Sequence, residues 1–116
     1  MNKDNKAYLH LMMDSFTKIK DYIKDMSYEN FLADSKTQSA VIMQLQVIGE
    51  LAKKMPDEIK ESVDIPWKQI VGMRDMVSHD YFNLDIKSVW DTAIKSVPEA
   101  ELEIRKYLKK FEATST

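Results

Sequence analysis

The sequence predicts an all-α protein, an antiparallel bundle of four to five helices, and three observations carry that expectation. Gly and Pro are scarce, at two and three of 116 residues. Lys, Glu and Asp are plentiful beside eight Met, a composition that favours helix over sheet. Apolar residues also recur at steps of three and four along most of the chain, the period of a helix with one buried face. The length suits a single domain, expected over residues 1–112 with 113–116 as a frayed tail.

The first helix is predicted from about Asp4 to Met26. Leu9, Met12, Phe16, Ile19, Ile23 and Met26 form its apolar stripe, with Asp14, Lys18, Asp21 and Asp25 between them. Ser27 is a suitable N-cap for a short helix over Tyr28–Leu32, and Asp34-Ser35 punctuates the chain before the next start. From Thr37 to Met55 the stripe resumes with Val41, Leu45, Ile48, Leu51 and Ala52. Gly49 interrupts it at a cost of about 1 kcal/mol relative to Ala. Such a residue is tolerated where another backbone or a ligand must come close.

Pro56 closes that helix or opens a short one, since Asp57 and Glu58 suit a first turn. Pro66 is placed to start a helix running from Trp67 to about Ser78. Phe82-Asn83-Leu84 reads as a connector, and Asp85 as the cap of a helix carrying Ile86, Val89, Trp90, Ala93 and Ile94. Pro98 predicts a break near Val97 before a last helix through Leu102, Ile104, Tyr107, Leu108 and Phe111.

Composition also removes function classes. With no Cys, thiol nucleophiles, disulfides and Cys-based metal sites are excluded. Seventeen basic against nineteen acidic residues give a net charge of −2, whereas a dedicated electrostatic DNA binder is clearly basic; DNA is not an expected partner. Asp4, Asp14, Lys18 and Lys20 break up any secretory apolar region, and no run approaches a bilayer span. A soluble, cytoplasmic protein without membrane contact is the expectation.

Residues able to do chemistry are few. The chain has two His, His10 and His79, and two Arg, Arg74 and Arg105. One of each falls within Arg74-Asp75-Met76-Val77-Ser78-His79-Asp80-Tyr81. Arg74 follows Ile70 by four and precedes Val77 by three, so it shares a semi-apolar face, and a partly sheltered Arg can clamp a phosphate. His79 lies about 140° from Arg74 on an unbroken helix; unwinding near Ser78 would let the imidazole swing back. Asp75, four residues before His79, is placed to orient that ring and raise its pKa. Together they make an anion clamp, a proton-transfer group and an orienting carboxylate. The plainer alternative is a snorkelling surface Arg and a His resting on helix C-terminal carbonyls.

Other candidates are weaker. Asp75, Asp80 and Asp85 recur every five residues, which does not gather them on one face, so with His79 they make a poor metal site and no metal is expected. Trp67, Trp90 and the Met residues read as core or interface. Lys53-Lys54 and Lys109-Lys110 read as solvated helix ends, with a role for Lys53-Lys54 in holding a polyanion as the alternative. Glu50 reads as a surface carboxylate and His10 as structural.

Three segments in order resemble a known family. Arg74-x4-His79-x-Tyr81, preceded by Ile65-Pro66-Trp67 and by a Gly72 turn before Met73, is similar to the HEPN superfamily, specifically its HepT-like toxins. Val47-Ile48-Gly49-Glu50-Leu51-Ala52-Lys53-Lys54 resembles that family's Ile-Gly-Glu-Ala-like segment, and Leu84-Asp85-Ile86 before the Val89-Trp90 helix fits too. The likeness spans roughly residues 8–110.

The resemblance implies a HEPN-like bundle that forms a homodimer, with the motifs of both subunits lining one cleft. It implies a metal-independent endoribonuclease without cofactors, acting on RNA as the toxin of a toxin–antitoxin pair. The implied partner is a minimal nucleotidyltransferase that neutralises the toxin by adenylylating the motif tyrosine. Carried over, Arg74 binds the scissile phosphate, His79 transfers the proton and Tyr81 receives AMP. Where the family commonly has Asn after the Arg, this chain has Asp75. The alternative from another class is a non-catalytic helical module that binds nucleotide or docks on a nucleotidyltransferase.

Overall fold

A computed structural model describes residues 2–114, and among them the chain is almost wholly helical, with no strand. Helix α1 spans Lys3–Tyr22, α2 Tyr28–Leu32, α3 Ser35–Lys54, α4 Asp57–Ser62 and α5 Trp67–His79. A 3₁₀ turn at Tyr81–Asn83 leads to α6, Ile86–Asp91, then a π-helical turn, Thr92–Ser96, and α7, Val97–Thr114. The expected all-α bundle is the fold.

Caps explain most of the starts. Asn2 accepts from the Asn5 amide at 2.9 Å to begin α1. Ser27 and Asn30 form a reciprocal capping box around α2. Asp34 accepts from both the amide and the hydroxyl of Thr37, at 3.0 and 2.6 Å, to open α3. Asp85 accepts from the Lys87 amide at 3.1 Å and the Ser88 hydroxyl at 3.0 Å to open α6.

Three boundaries differ from the sequence expectation. Helix α1 stops at Tyr22 rather than Met26, because the chain turns through Asp25 at φ 61°; Asp is among the few non-Gly residues at ease there. Ile23 and Met26 still pack on the core from outside the helix, so the apolar period outlasts the hydrogen bonds. No break occurs near Val97: the backbone passes from α6 through the π turn into α7 without leaving helical geometry. Pro98 has no amide hydrogen and its ring would crowd the carbonyl of Ile94 in a regular α-helix, and the wider turn just before it relieves both problems. The tail expected over 113–116 belongs in part to α7, which reaches Thr114, while 115–116 lie outside the described residues.

The core draws one stripe from each long helix. Leu9, Met12, Phe16 and Ile19 of α1 meet Val41, Leu45 and Ile48 of α3 and Ile104 of α7. Each such burial contributes about 1.5–3 kcal/mol. Phe31 of α2 stacks obliquely on Trp90 at 5.1 Å between ring centres, tying the short helix to α6. Trp67 donates its indole N–H to the Val63 carbonyl at 3.0 Å, which anchors the start of α5. That anchor, with Ile70 and Val77 facing inward, lays α5 along α3.

Candidate active site

The site begins with a missing side chain. Gly49 is buried in α3, and a Cβ built on it would overlap the Cβ of Arg74, come within 2.9 Å of its Cγ and within 3.2 Å of the Ile70 carbonyl oxygen. Helix α5 therefore rests on bare backbone of α3 at this crossing, and the stem of Arg74 occupies the space a side chain would fill. This is the close approach that a glycine inside a helix predicts.

The next residue supplies the charge. One carboxylate oxygen of Glu50 accepts a hydrogen bond from Nε of Arg74 and makes an ion-pair contact with its Nη2. Nη1 of Arg74 donates to Oδ1 of Asp75 at 3.0 Å, and Lys53 Nζ lies 3.6 Å from that same oxygen. Two cations and two anions thus form one chain of contacts across α3 and α5. The Arg74 side chain is 22% exposed, against 40% for Glu50 and 44% for Asp75. The hydrogen bond from Arg74 holds the Asp75 carboxyl below the usual carboxylate range, with Lys53 assisting. In return Asp75 first, and Glu50 after it, hold the guanidinium protonated against partial burial.

His79 closes α5 and is exposed. The helix does not unwind at Ser78, so the two motif side chains leave it about 140° apart. Nor does Asp75 orient the imidazole: its carboxylate is engaged by Arg74 and Lys53, and His79 has no hydrogen-bond partner among the described residues. The charge-assisted pairs outcompete a bond to the ring. The Gly72 turn is likewise absent; α5 runs straight through Gly72, where an added Cβ would meet nothing within 4 Å.

Tyr81 stands on the 3₁₀ turn, which Asp80 closes by accepting from the Asn83 amide at 3.1 Å and its side chain at 2.7 Å. The Tyr81 ring is half exposed and meets Phe82 edge to face at 5.9 Å. Phe82 itself is 98% exposed. A groove of about 360 Å³ runs between α5 and the start of α6, lined among others by Met73, Met76, Asn83 and Leu84, and Arg74, His79 and Tyr81 do not border it. Among the described residues no three His, Asp or Glu side chains converge as a group able to hold a metal.

Glu50 and Lys53 read from sequence as a surface carboxylate and a helix end, and their pairing with Arg74 and Asp75 is what sequence reasoning missed. Their signal was adjacency to Gly49: a glycine that admits a close approach marks the next turn as facing the same neighbour.

Fold and site together define an α-helical protein in which a sheltered guanidinium at a helix crossing is followed by an exposed histidine and an exposed tyrosine on one short segment. Comparison with known proteins gives that class its family. The family described as ribonuclease HepT-like matches residues 12–107, and the chain belongs to it. A Methanocaldococcus jannaschii protein named "Putative RNase MJ0125" is 40% identical over 111 residues, covering 95% of this chain and 96% of the relative. A Thermococcus cleftensis protein named "Probable ribonuclease HepT" is 34% identical over 110 residues, covering 94% of this chain and 100% of the relative. A Caldanaerobacter subterraneus protein named "Putative RNase TTE0752" is 33% identical over 109 residues, covering 93% and 97%. No solved structure gives a significant match.

Proposed function

We propose that this chain is a metal-independent endoribonuclease, the toxin of a toxin–antitoxin pair, acting in the cytoplasm as a homodimer. One observation carries the reading beyond family membership. Arg74 is anchored at a helix crossing, with Nε and Nη1 hydrogen-bonded to carboxylates and Nη2 in ion-pair contact with Glu50, which leaves N–H groups on its terminal nitrogens for a phosphate.

In this reading Arg74 binds the scissile phosphodiester and offsets the charge that builds on its oxygens. The 2′-hydroxyl oxygen of the ribose attacks the adjacent phosphorus. A bond from phosphorus to the 2′ oxygen forms as the bond to the 5′ oxygen of the next nucleotide breaks. A neutral His79 imidazole takes the 2′ proton and an imidazolium returns one to the departing 5′ oxygen, so the products are a 2′,3′-cyclic phosphate and a 5′-hydroxyl. The 140° between the two groups on one helix supports a cleft shared by two copies, in which a second α5 supplies the complementary face. Two copies of Arg74 meeting there also suit RNA binding by a chain of net charge −2.

Control would fall on Tyr81, exposed and two residues beyond His79. A minimal nucleotidyltransferase transferring AMP to its hydroxyl adds negative charge and bulk beside the imidazole, repelling and blocking RNA. Purified protein, Arg74→Ala and His79→Ala are incubated with RNA in chelator. Cleavage to cyclic-phosphate ends by the wild type alone is the expected result, and cleavage surviving both substitutions rejects the assignment.

The pairing of Arg74 with Glu50 and Asp75 favours a second reading, a non-catalytic module that binds nucleotide or docks on a nucleotidyltransferase. Tight binding of either with RNA left intact would select it.

A further inference from the structure

The hold on Arg74 is asymmetric. Both contacts along its Nε/Nη2 edge go to a single oxygen of Glu50, contributed by α3, while Asp75 takes the other terminal nitrogen from within α5. A guanidinium is a rigid planar fork, so fixing that edge fixes the plane and the direction of every remaining N–H. Glu50 can reach the edge only because its neighbour is Gly49, which lets the Arg74 stem lie on the α3 backbone.

An ordinary surface ion pair has no need of that arrangement. It would form from a longer side chain at any separation and would not require a residue that weakens its own helix. The carboxylate also has an adverse side. Glu50 and Asp75 balance Arg74 and Lys53, and a neutral cluster attracts phosphate less than a cationic one. Glu50 therefore lowers the attraction for a polyanion at this crossing, and orientation is what it offers in exchange.

We propose that Glu50 is a positioning residue: it grips the Nε/Nη2 edge of Arg74 and presents the remaining terminal N–H groups to the phosphodiester in one orientation, with Gly49 making the grip possible. The proposal rests on the ribonuclease reading and adds a residue to it. Orientation and charge then separate by substitution. Glu50→Gln keeps an oxygen acceptor and removes a negative charge. Glu50→Ala removes both.

Steady-state cleavage of one RNA substrate measures the two effects. Glu50→Ala lowers kcat by about 10- to 100-fold, the scale of a misplaced catalytic group, without raising KM. Glu50→Gln recovers most of the lost kcat and lowers KM, since phosphate is attracted more strongly. Glu50 is partly exposed, so both variants are expected to fold, and thermal melts verify it. A readout that does not depend on turnover is the Arg74 Nε–H signal in NMR, slow to exchange in the wild type and in Glu50→Gln and fast in Glu50→Ala. Wild-type kcat in Glu50→Ala overturns the proposal, and so do equal kcat losses in the two variants. If the wild type cleaves no RNA, the ribonuclease reading falls, and the Nε–H signal alone then decides whether Glu50 orients the guanidinium.

Discussion

The Cβ of Arg74 occupies the position that a side chain on Gly49 would take. Two helices are thereby brought into close contact at the stem of Arg74. The glycine costs α3 about 1 kcal/mol of intrinsic helix propensity, and what it secures is the placement of one guanidinium. Site and packing are the same feature here.

Gly49→Ala tests that identity. The overlapping atom is a Cβ fixed to the α5 backbone, so no rotamer change relieves it and the helices must separate. Overpacking of this kind costs about 1–3 kcal/mol, against about 1 kcal/mol regained in propensity. A lower melting temperature with reduced RNA cleavage is expected. Gly72→Ala is the matched control: it lies in α5 with open space around it, and it should stabilise by about 0.5–1 kcal/mol. A Gly49→Ala protein as stable and active as the wild type would show that the crossing tolerates a side chain.

The carboxylates predict an acid response. Hydrogen bonds from Thr37 hold Asp34 below the usual range, and the bond from Arg74 does the same for Asp75. A depressed carboxyl stabilises the folded state fully above its unfolded pKa, about 3.9. That stabilisation is lost as pH falls through the depressed folded value. Melting temperature should therefore hold steady down to about pH 5 and decline below about pH 4. Asp34→Asn and Asp75→Asn should each flatten part of the decline, and an unchanged acid limb in both would contradict the assignment.

Which parts of this were legible in the sequence depends on how far apart the partners lie. Ser27, Asp34 and Asp85 cap helices through neighbours two or three residues away, and local chemistry reveals them. Helix ends set by a turn are harder: Ile23 and Met26 keep the apolar period after Asp25 has left the helix. Pro98 announces trouble for a helix, but a break and a π turn both resolve it, and only packing of α7 chooses. Gly49 signalled a close approach without saying to what. Glu50 read as solvated because its partner is 24 positions away on another helix, beyond any periodicity. The Asp75–His79 bond was reasonable from spacing and lost to two cations, the adjacent Arg74 and the remote Lys53 on α3.

Arg74 and His79 should separate in their effects on stability. His79→Ala removes an exposed ring without a hydrogen-bond partner among the described residues, so stability should stay within about 0.5 kcal/mol while cleavage falls. Arg74→Ala also removes the cation that Glu50 and Asp75 share, leaving Asp75 with Lys53 alone, so melting temperature should drop along with activity. Expression of the wild type should slow growth and neither variant should. A His79→Ala protein that melts early would mean the imidazole serves the fold.

Tyr81→Phe probes control separately from chemistry. The ring keeps its edge-to-face contact with Phe82, and the hydroxyl makes no hydrogen bond among the described residues, so its loss should leave stability within about 0.5 kcal/mol. Cleavage should persist, since the hydroxyl takes no part in the proposed transfer. Incubated with a minimal nucleotidyltransferase and ATP, the wild type should gain the mass of AMP and lose activity, and Tyr81→Phe should do neither. The phosphate that AMP brings would lie two residues from His79, where it competes with the RNA backbone for the same cations. An AMP adduct persisting on Tyr81→Phe would move the switch to another hydroxyl, and an inactive Tyr81→Phe protein of normal stability would place the phenol inside the reaction instead of beside it.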